Sequence, residues 1–489
     1  MSGAASQRPT GIVRFTLLMG VLAAAMAGCA PATPPPAAHL APDGAWSQAS
    51  RPVDTVRSGA VADLRSWFEG LPDPTLRRLV DEALAGNLDV AQARSRIRSA
   101  RAQLDLARSA GLPSVNLGAN TGRARVQRQD LAGRIFPAFE INQFQTELAA
   151  SWELDLFGSV AASVGGARAN LGSAEASLRA TQISLAAQVM QVYIDLRSLQ
   201  YRRGLAKDSI TSQRDTLALT RSRGNSGLAT QVDVDTADTQ TVQIDAALWL
   251  FDESIERDRH ALAVLTGRAP LGPDPSLDAA SAPPTVLPPV PIVVPAQWLR
   301  NRPDILAADL QAQAAAAQLA VARTSYLPNV MLTAGGGASA YRIQDLFSTP
   351  SLLWSTGAGL TQTLFSGGRL DANRTAAEAA LEQQELSYRK TVLTAMQDVE
   401  DQLSVLRGES ARVRMLEQGL RLSTANRDRA RDLFRAGLVD GLTVLVAERS
   451  VLSASDSLEQ AREQQQLAQV SLFKAMGGGW IADVPPNKG

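Results

Sequence analysis

The stretch Gln143-Phe-Gln-Thr-Glu-Leu-Ala-Ala-Ser-Trp-Glu-Leu-Asp-Leu-Phe157 alternates between two kinds of side chain along its length. Apolar and small residues, among them Phe144, Trp152 and Leu156, occupy one face, and mostly polar residues such as Glu147 occupy the other. A period of two residues is typical of a β-strand with one face against an apolar medium. The sequence therefore predicts a strand over 143–157.

Outside this strand, the positions of the prolines divide the chain. No proline occurs in residues 138–269 or 351–484, whereas nine fall between Pro270 and Pro295. Because a proline inside a helix costs about 3 kcal/mol, the two proline-free blocks can hold long helices. The segment 268–294 between them is predicted to be a Pro-rich linker.

The two helical blocks follow one plan. In each, about 70 residues separate a glycine after the strands (Gly158, Gly367) from a Gly-Leu pair (Gly227-Leu228, Gly437-Leu438). A continuous helix of that length is roughly 100 Å long. The Gly-Leu pairs are predicted turns, and the arms that return from them align at a constant offset of 210 positions. An internal repeat of this kind predicts an elongated architecture.

The plan gives a mainly α, α+β fold with two structural repeats, at 61–267 and 295–479, and a C-terminal tail at 480–489. The predicted strands are 113–128 and 143–157 in the first repeat and 328–341 and 352–365 in the second. The predicted long helical hairpins are 159–267 and 367–477.

The strands are long enough to cross a membrane, which takes about 9–11 residues in a barrel. From one strand alone, a soluble antiparallel sheet is an equal alternative. Four strands cannot close a membrane barrel, because known barrels have at least eight. If the strands span a membrane, two, three or four chains must share a barrel. The strand pattern alone does not determine the number of chains.

The N-terminus has the pattern of an export signal. Arg8 and Arg14 precede a short apolar run that ends at Met26-Ala-Gly-Cys29. That run is too short to span a bilayer, so residues 1–28 are predicted to be a signal peptide. Cys29, the only cysteine, is the predicted lipidation site, and 29–60 is the predicted lipidated tether. A stray cysteine beside an ordinary cleavage site is the alternative.

Composition excludes several other functions. Basic and acidic residues balance at 48 each, which argues against a nucleic-acid-binding protein. Two histidines and one cysteine leave little material for a transition-metal site or a nucleophile-base pair. No phosphate-loop context surrounds the glycine runs. We therefore expect no catalytic residues, no metal and no cofactor apart from the lipid on Cys29.

Several short segments together resemble the TolC-like outer membrane factor family, in its lipoprotein, NodT-type efflux branch. These segments are Trp67-Phe68, Asp73-Pro-Thr-Leu76, Asn87-Leu-Asp89, Ser151-Trp-Glu-Leu-Asp-Leu-Phe-Gly158, Arg300-Asn-Arg-Pro-Asp-Ile305, Gln362-Thr-Leu-Phe-Ser-Gly-Gly368 and Lys474-Ala-Met-Gly-Gly-Gly-Trp480. The resemblance implies a homotrimer with a shared twelve-stranded barrel in the outer membrane and a twelve-helix periplasmic α-barrel.

The resemblance also implies a function. The chain would be the outer-membrane channel of a tripartite efflux system, passively exporting small toxic compounds or drugs. Its partners would be a periplasmic adaptor (a membrane fusion protein) and an inner-membrane transporter, usually proton-driven. The outlet of a type I protein-secretion system is an alternative with the same fold. A periplasmic adaptor lipoprotein is an alternative of a different class.

Two groups of residues carry this function by resemblance. The hairpin turns at Gly227, Leu228, Gly437 and Leu438 would dock the adaptor, although plain helix caps are the alternative. Relatives close the tunnel with aspartate rings at positions that fall here on Thr443 and Val446, and neither residue is acidic. The nearby Asp233, Asp235 and Asp440 are therefore the candidates for the pore constriction, with solvated charges at a helix start as the alternative.

Overall fold

Two long helical hairpins and one antiparallel sheet account for most of the chain. The computed structural model describes residues 56–58, 66–67, 69–127, 133–135, 137–227, 229–272, 274–278, 286–292, 298 and 302–478. The elements are β1 (Val56–Ser58), α1 (Pro74–Gly86), α2 (Leu88–Ser109), β2 (Ser114–Val126), β3 (Phe139–Leu154), α3 (Ser159–Asn225), α4 (Gln231–Leu265), β4 (Val290–Ile292), α5 (Pro303–Thr324), β5 (Asn329–Ala340), β6 (Leu352–Thr361), α6 (Arg369–Arg435) and α7 (Gly441–Ala475). The predicted mainly α, α+β fold class is confirmed.

The hairpins repeat with equal dimensions. Helices α3 and α6 have 67 residues each, and the return helices α4 and α7 have 35 each. Every helix boundary in the second hairpin lies 210 positions after its counterpart in the first. At about 1.5 Å per residue, α3 and α6 are each roughly 100 Å long.

The four long strands form a single antiparallel sheet in the order β2-β3-β5-β6. Leu117 lies opposite Leu148, which lies opposite Gly336, and Gly336 lies opposite Trp354. The three large side chains in this row are between 52% and 83% exposed in the single chain. The sheet therefore presents apolar side chains outward, and β2 and β6 each pair with only one neighbour among the described residues.

The second strand lies earlier in the chain than the alternation predicts. Pairing with β2 extends β3 back to Phe139, opposite Val126. The strand ends at Leu154 because the carboxylate of Asp155 accepts hydrogen bonds from the backbone N–H groups of Val160 (3.0 Å) and Ala161 (2.8 Å), which starts α3. Strand β6 likewise ends at Thr361 rather than 365.

The described residues divide into two compact units. The first contains Arg98–Gly172 and Asp309–Leu386, and so includes the sheet. The second contains the other described residues and the main hydrophobic core, where Trp67 lies against Phe473 with ring centroids 4.6 Å apart and Trp298 is fully buried. The ends of α4 and α7 contribute to this core.

Within the second unit, the end of each return helix is held by residues that lie just before α2 or α5, the shorter helix before the strands of the same repeat. Asn87 donates from Nδ2 to the carbonyl of Leu265, at the end of α4 (3.0 Å). At the end of α7, Trp298 donates from Nε1 (2.9 Å) and Arg302 from Nη1 (3.0 Å) to the carbonyl of Ala475. Because the last four carbonyls of a helix have no partner inside it, these bonds fix where both return helices stop.

Candidate docking site at the hairpin tips

The α6–α7 turn is a Schellman motif. The N–H of Leu438 donates to the carbonyl of Leu433 (2.9 Å), and that of Gly437 donates to the carbonyl of Phe434 (3.0 Å). Gly437 has φ +71°, a left-handed conformation that favours glycine. The side chain of Leu438 is 71% exposed. The turn thus presents an apolar side chain at the end of the hairpin on a backbone fixed by two hydrogen bonds.

The α3–α4 turn has a related geometry. Gly227 also has φ +71°, and its N–H donates to the carbonyl of Gly224 (3.0 Å). Leu228, a predicted docking residue, lies outside the described residues, as does the predicted lipidation site Cys29. Gly227, Gly437 and Leu438 thus lie at hairpin turns, and their role in docking stays a prediction.

Both return helices begin with a side-chain cap made by a threonine and an aspartate three residues apart, in opposite order in the two helices. In α4, the hydroxyl of Thr230 accepts from the N–H of Asp233 (3.2 Å), and the carboxylate of Asp233 accepts from the N–H of Thr230 (2.9 Å). In α7, the carboxylate of Asp440 accepts from the N–H (2.8 Å) and hydroxyl (2.6 Å) of Thr443. These bonds from Thr443 lower the pKa of Asp440, so its carboxylate is negatively charged at neutral pH.

Two of the predicted constriction residues lie around one cavity. A space of about 110 Å³ between the two hairpin tips is lined by Arg223, Asp233, Phe434 and Asp440, among others. The guanidinium of Arg223 lies 4.5 Å from the ring centroid of Phe434, a cation–π distance that links α3 to α6. Asp235 accepts instead from Gln231 on its own helix (2.8 Å). The structure therefore brings Asp233 and Asp440 together.

Arg223 and Phe434 were not singled out from the sequence. A signal was available, since both lie within four residues of a Gly-Leu turn and a cation–π pair needs one cation and one ring. The Thr-x-x-Asp and Asp-x-x-Thr spacings at 230–233 and 440–443 were a second signal, because three-residue spacings of this kind mark helix caps.

Along most of their length the two hairpins pack as a layer in the order α4-α3-α7-α6, and toward the tips α6 also contacts α3 through Arg431–Ser212 (3.3 Å) and Arg223–Phe434. Polar pairs join α3 to α7: Arg202–Asp456 (2.6 Å), Gln191–Ser471 (3.1 Å) and Ser212–Glu448 (3.2 Å). Other pairs join α3 to α4, at Arg203–Asp252, Arg214–Asp245 and Arg221–Asp238, and α6 to α7, at Glu417–Arg462 and Ser410–Gln465. Helices α4 and α6 are thus the outer members of the layer.

A four-stranded sheet whose edge strands each have one partner among the described residues, together with two equal helical hairpins, is the fold of an outer-membrane channel subunit. The chain belongs to the outer membrane efflux protein family, whose model matches residues 79–268 and 294–478. It is therefore an efflux channel of the outer membrane, in a family of transport proteins.

Individual relatives agree with this assignment. Outer membrane protein OprJ of Pseudomonas aeruginosa is 31% identical, with 92% of each chain covered. The pyoverdine export outer membrane protein OpmQ of Pseudomonas putida is 28% identical over 95% of this chain and 97% of its own length. The solved outer-membrane channel OprN superposes with a TM-score of 0.81 at 30% identity, covering 90% of this chain and 98% of OprN.

Proposed function

We propose that three copies of this chain form one channel that passively exports small toxic organic compounds, docked to a periplasmic adaptor and an inner-membrane transporter. The observation that carries this proposal is the pair of equal hairpins with open outer helices. Relatives named for pyoverdine export and for solvent and toluene efflux support small molecules as cargo and favour efflux over protein secretion. Because the chain belongs to the outer membrane efflux protein family, a periplasmic adaptor lipoprotein is no longer an alternative.

The sheet requires partner copies. Unpaired backbone N–H and C=O groups at β2 and β6 cannot remain in hydrocarbon, where each would cost several kcal/mol. Pairing β6 of one copy with β2 of the next satisfies both edges. Three copies of a four-stranded sheet then supply twelve strands, above the minimum of eight for a membrane barrel.

The helical layer can continue in the same way. Helix α6 is the repeat counterpart of α3, and α4 is the counterpart of α7, so the α3–α7 contact within one chain has an equivalent contact between α6 and α4 of neighbouring chains. Both outer helices expose large apolar side chains for such a contact. These are Val242 and Trp249 on α4, and Leu393, Met415 and Leu422 on α6, all more than 60% exposed.

This symmetry predicts a crosslink. The in-chain pair Arg202–Asp456 corresponds, at the offset of 210, to Arg412 of one copy and Ala246 of the next. With both replaced by cysteine, a short thiol-specific crosslinker applied to outer membranes should give covalent dimers and trimers on denaturing gels. Each single cysteine should give none.

The matched control is Ala246→Cys with Leu393→Cys. Leu393 is also exposed on α6 but lies about 28 Å from position 412 along the helix, at about 1.5 Å per residue. Efficient crosslinking of this control, or a ladder that stops at dimers, would contradict the threefold ring.

We also propose that Cys29 carries the lipid anchor. In the same membranes, an alkyne-tagged fatty acid should therefore label the wild-type chain and fail to label Cys29→Ser.

We further propose that Asp233 and Asp440 supply a ring of negative charge at the tunnel end. Threefold symmetry would place six carboxylates there, which would favour cations over anions. The double variant Asp233→Asn, Asp440→Asn should lower cation selectivity in single-channel recordings. At position 440 asparagine caps a helix about as well as aspartate, and at position 233 its Oδ1 can still accept from the N–H of Thr230, so the fold should be retained. An unchanged reversal potential in a salt gradient would refute this role.

A further inference from the structure

Four carboxylates form a connected group inside the helical layer, away from the tips: three interact electrostatically across α3, α4 and α7, and the fourth, Glu459, interacts with Glu463 on its own helix. Asp195 is on α3, Asp258 on α4, and Glu459 and Glu463 on α7; together we call them the carboxylate cluster. Asp258 is 6% exposed and Glu459 is 2% exposed. Oδ2 of Asp258 and Oε1 of Glu459 are buried and have no hydrogen-bond partner among the residues that the structure describes. Leaving a buried, unpartnered oxygen on an ionised carboxylate is strongly unfavourable.

Nearby arginines do not neutralise the carboxylate cluster. The charged groups that face it are Arg202 on α3, Arg257 on α4, and Asp456 and Arg462 on α7. Arg202 is already paired with Asp456 (2.6 Å), and Arg462 is paired with Glu417 of α6 (2.9 Å). Arg257 acts on Asp195 and Asp258, so three arginines, two of them already paired with other acids, face the four carboxylates of the cluster. The excess negative charge can be removed by binding protons.

We propose that the carboxylate cluster is a proton-binding site that makes the packing of α3, α4 and α7 depend on pH. With protons bound, the carboxyl groups are neutral and can share hydrogen bonds across the three helices. When the protons leave, like charges on α3, α4 and α7 repel one another and the wall of the helical layer loosens. Channel function as such does not require this property.

The pKa values agree in direction with the geometry. Burial raises the pKa of Asp258 to about 7, with a contribution from the Asp195 carboxylate, while Arg257 opposes the shift. Burial raises the pKa of Glu459 to about 7 against the effect of Arg462. Burial also raises the pKa of Asp195 and of Glu463.

The carboxylate cluster stabilises the folded state less as pH rises. In the unfolded chain these groups lose their protons at about pH 4. Between about pH 4 and 7 the folded state therefore binds more protons than the unfolded state, so this contribution to stability falls as pH rises through that window and stays lost above it.

The test compares wild type with the isosteric double variant Asp258→Asn, Glu459→Gln, using the full-length channel in detergent. We expect the variant to melt several degrees above wild type at pH 8 and to show a smaller difference at pH 5. The control Asp215→Asn, Glu253→Gln removes one aspartate and one glutamate from exposed positions and should follow wild type. Equal melting of the variant and wild type at pH 8, or a gap that is the same at pH 5, would overturn the proposal.

A second measurement needs no variant. Infrared spectra of the wild-type channel should contain the carbonyl stretch of a protonated carboxylic acid at pH 6, and this band should be lost at pH 8.5. Absence of the band at pH 6 would overturn the proposal even if the double variant failed to fold.

Discussion

Leu438→Asp should abolish export while leaving assembled channels in the outer membrane. Leu438 is 71% exposed at the α6–α7 turn, so its replacement removes little from the core and leaves the Schellman hydrogen bonds of the backbone in place. If this leucine packs into an apolar adaptor surface, desolvating an unpaired carboxylate there costs more than the roughly 1–3 kcal/mol of a neutral polar group. Three copies multiply that loss, so the drug susceptibility of the producing strain should approach that of a strain without the channel.

The matched control is Leu271→Asp, the same change at a leucine that is 85% exposed outside the hairpin turns. It should export normally. Gly437→Asp should also block export, but its φ of +71° adds backbone strain of roughly 1–2 kcal/mol, so Leu438 separates docking from folding more cleanly. Normal export by Leu438→Asp, with trimers present at wild-type levels, would show that this turn is not part of the docking site.

The helical part of the fold follows closely from the sequence because its determinants are local. Proline is absent from both helical blocks, and glycine occupies the left-handed position at each turn. The return arms share only 8 of 41 residues between Gly227–Gly267 and Gly437–Gly477, yet α4 and α7 have equal lengths. Length is maintained by caps and turns, which need few particular residues.

The strand boundaries were harder to predict because they depend on partners. Alternation continues through Leu156, but Asp155 caps α3 with its carboxylate, so β3 ends at Leu154. Its start at Phe139 depends on pairing with Val126 across the sheet. Period-two patterning identifies a strand, whereas caps and pairing decide where it ends.

The sequence predicts that the candidate docking and constriction residues lie near the hairpin turns, but it does not predict the hydrogen bonds that they make there. In the sequence, Asp233 and Asp440 are charges near a turn, and in the structure each carboxylate also accepts a backbone hydrogen bond at the start of a helix. The carboxylate cluster gave no signal at all, since buried and solvated carboxylates look alike in a single sequence. Only the packing of α3, α4 and α7 places Asp258 and Glu459 out of water.

Trp298→Ala should give the largest loss of stability of the variants considered. The indole is fully buried in the main core and donates from Nε1 to the carbonyl of Ala475 at the end of α7. Truncating a buried tryptophan to alanine costs about 3–5 kcal/mol. In heat or denaturant unfolding of the purified channel, the transition should move clearly below that of wild type.

Trp298→Phe separates the hydrogen bond from the packing. Phenylalanine keeps most of the buried ring area, and Arg302 still donates to the same carbonyl (3.0 Å), so the loss should be about 1 kcal/mol or less. In the first repeat, Asn87 donates to the counterpart carbonyl of Leu265, and its Oδ1 also caps α2 by accepting from the N–H of Asp89 (2.8 Å). Asn87→Ala should therefore cost more than Trp298→Phe, at about 2 kcal/mol, because it removes the cap of α2 together with the donor to the partly buried Leu265 carbonyl. Equal losses of stability in Asn87→Ala and Trp298→Phe would mean that core packing, and not these hydrogen bonds, fixes the ends of the return helices.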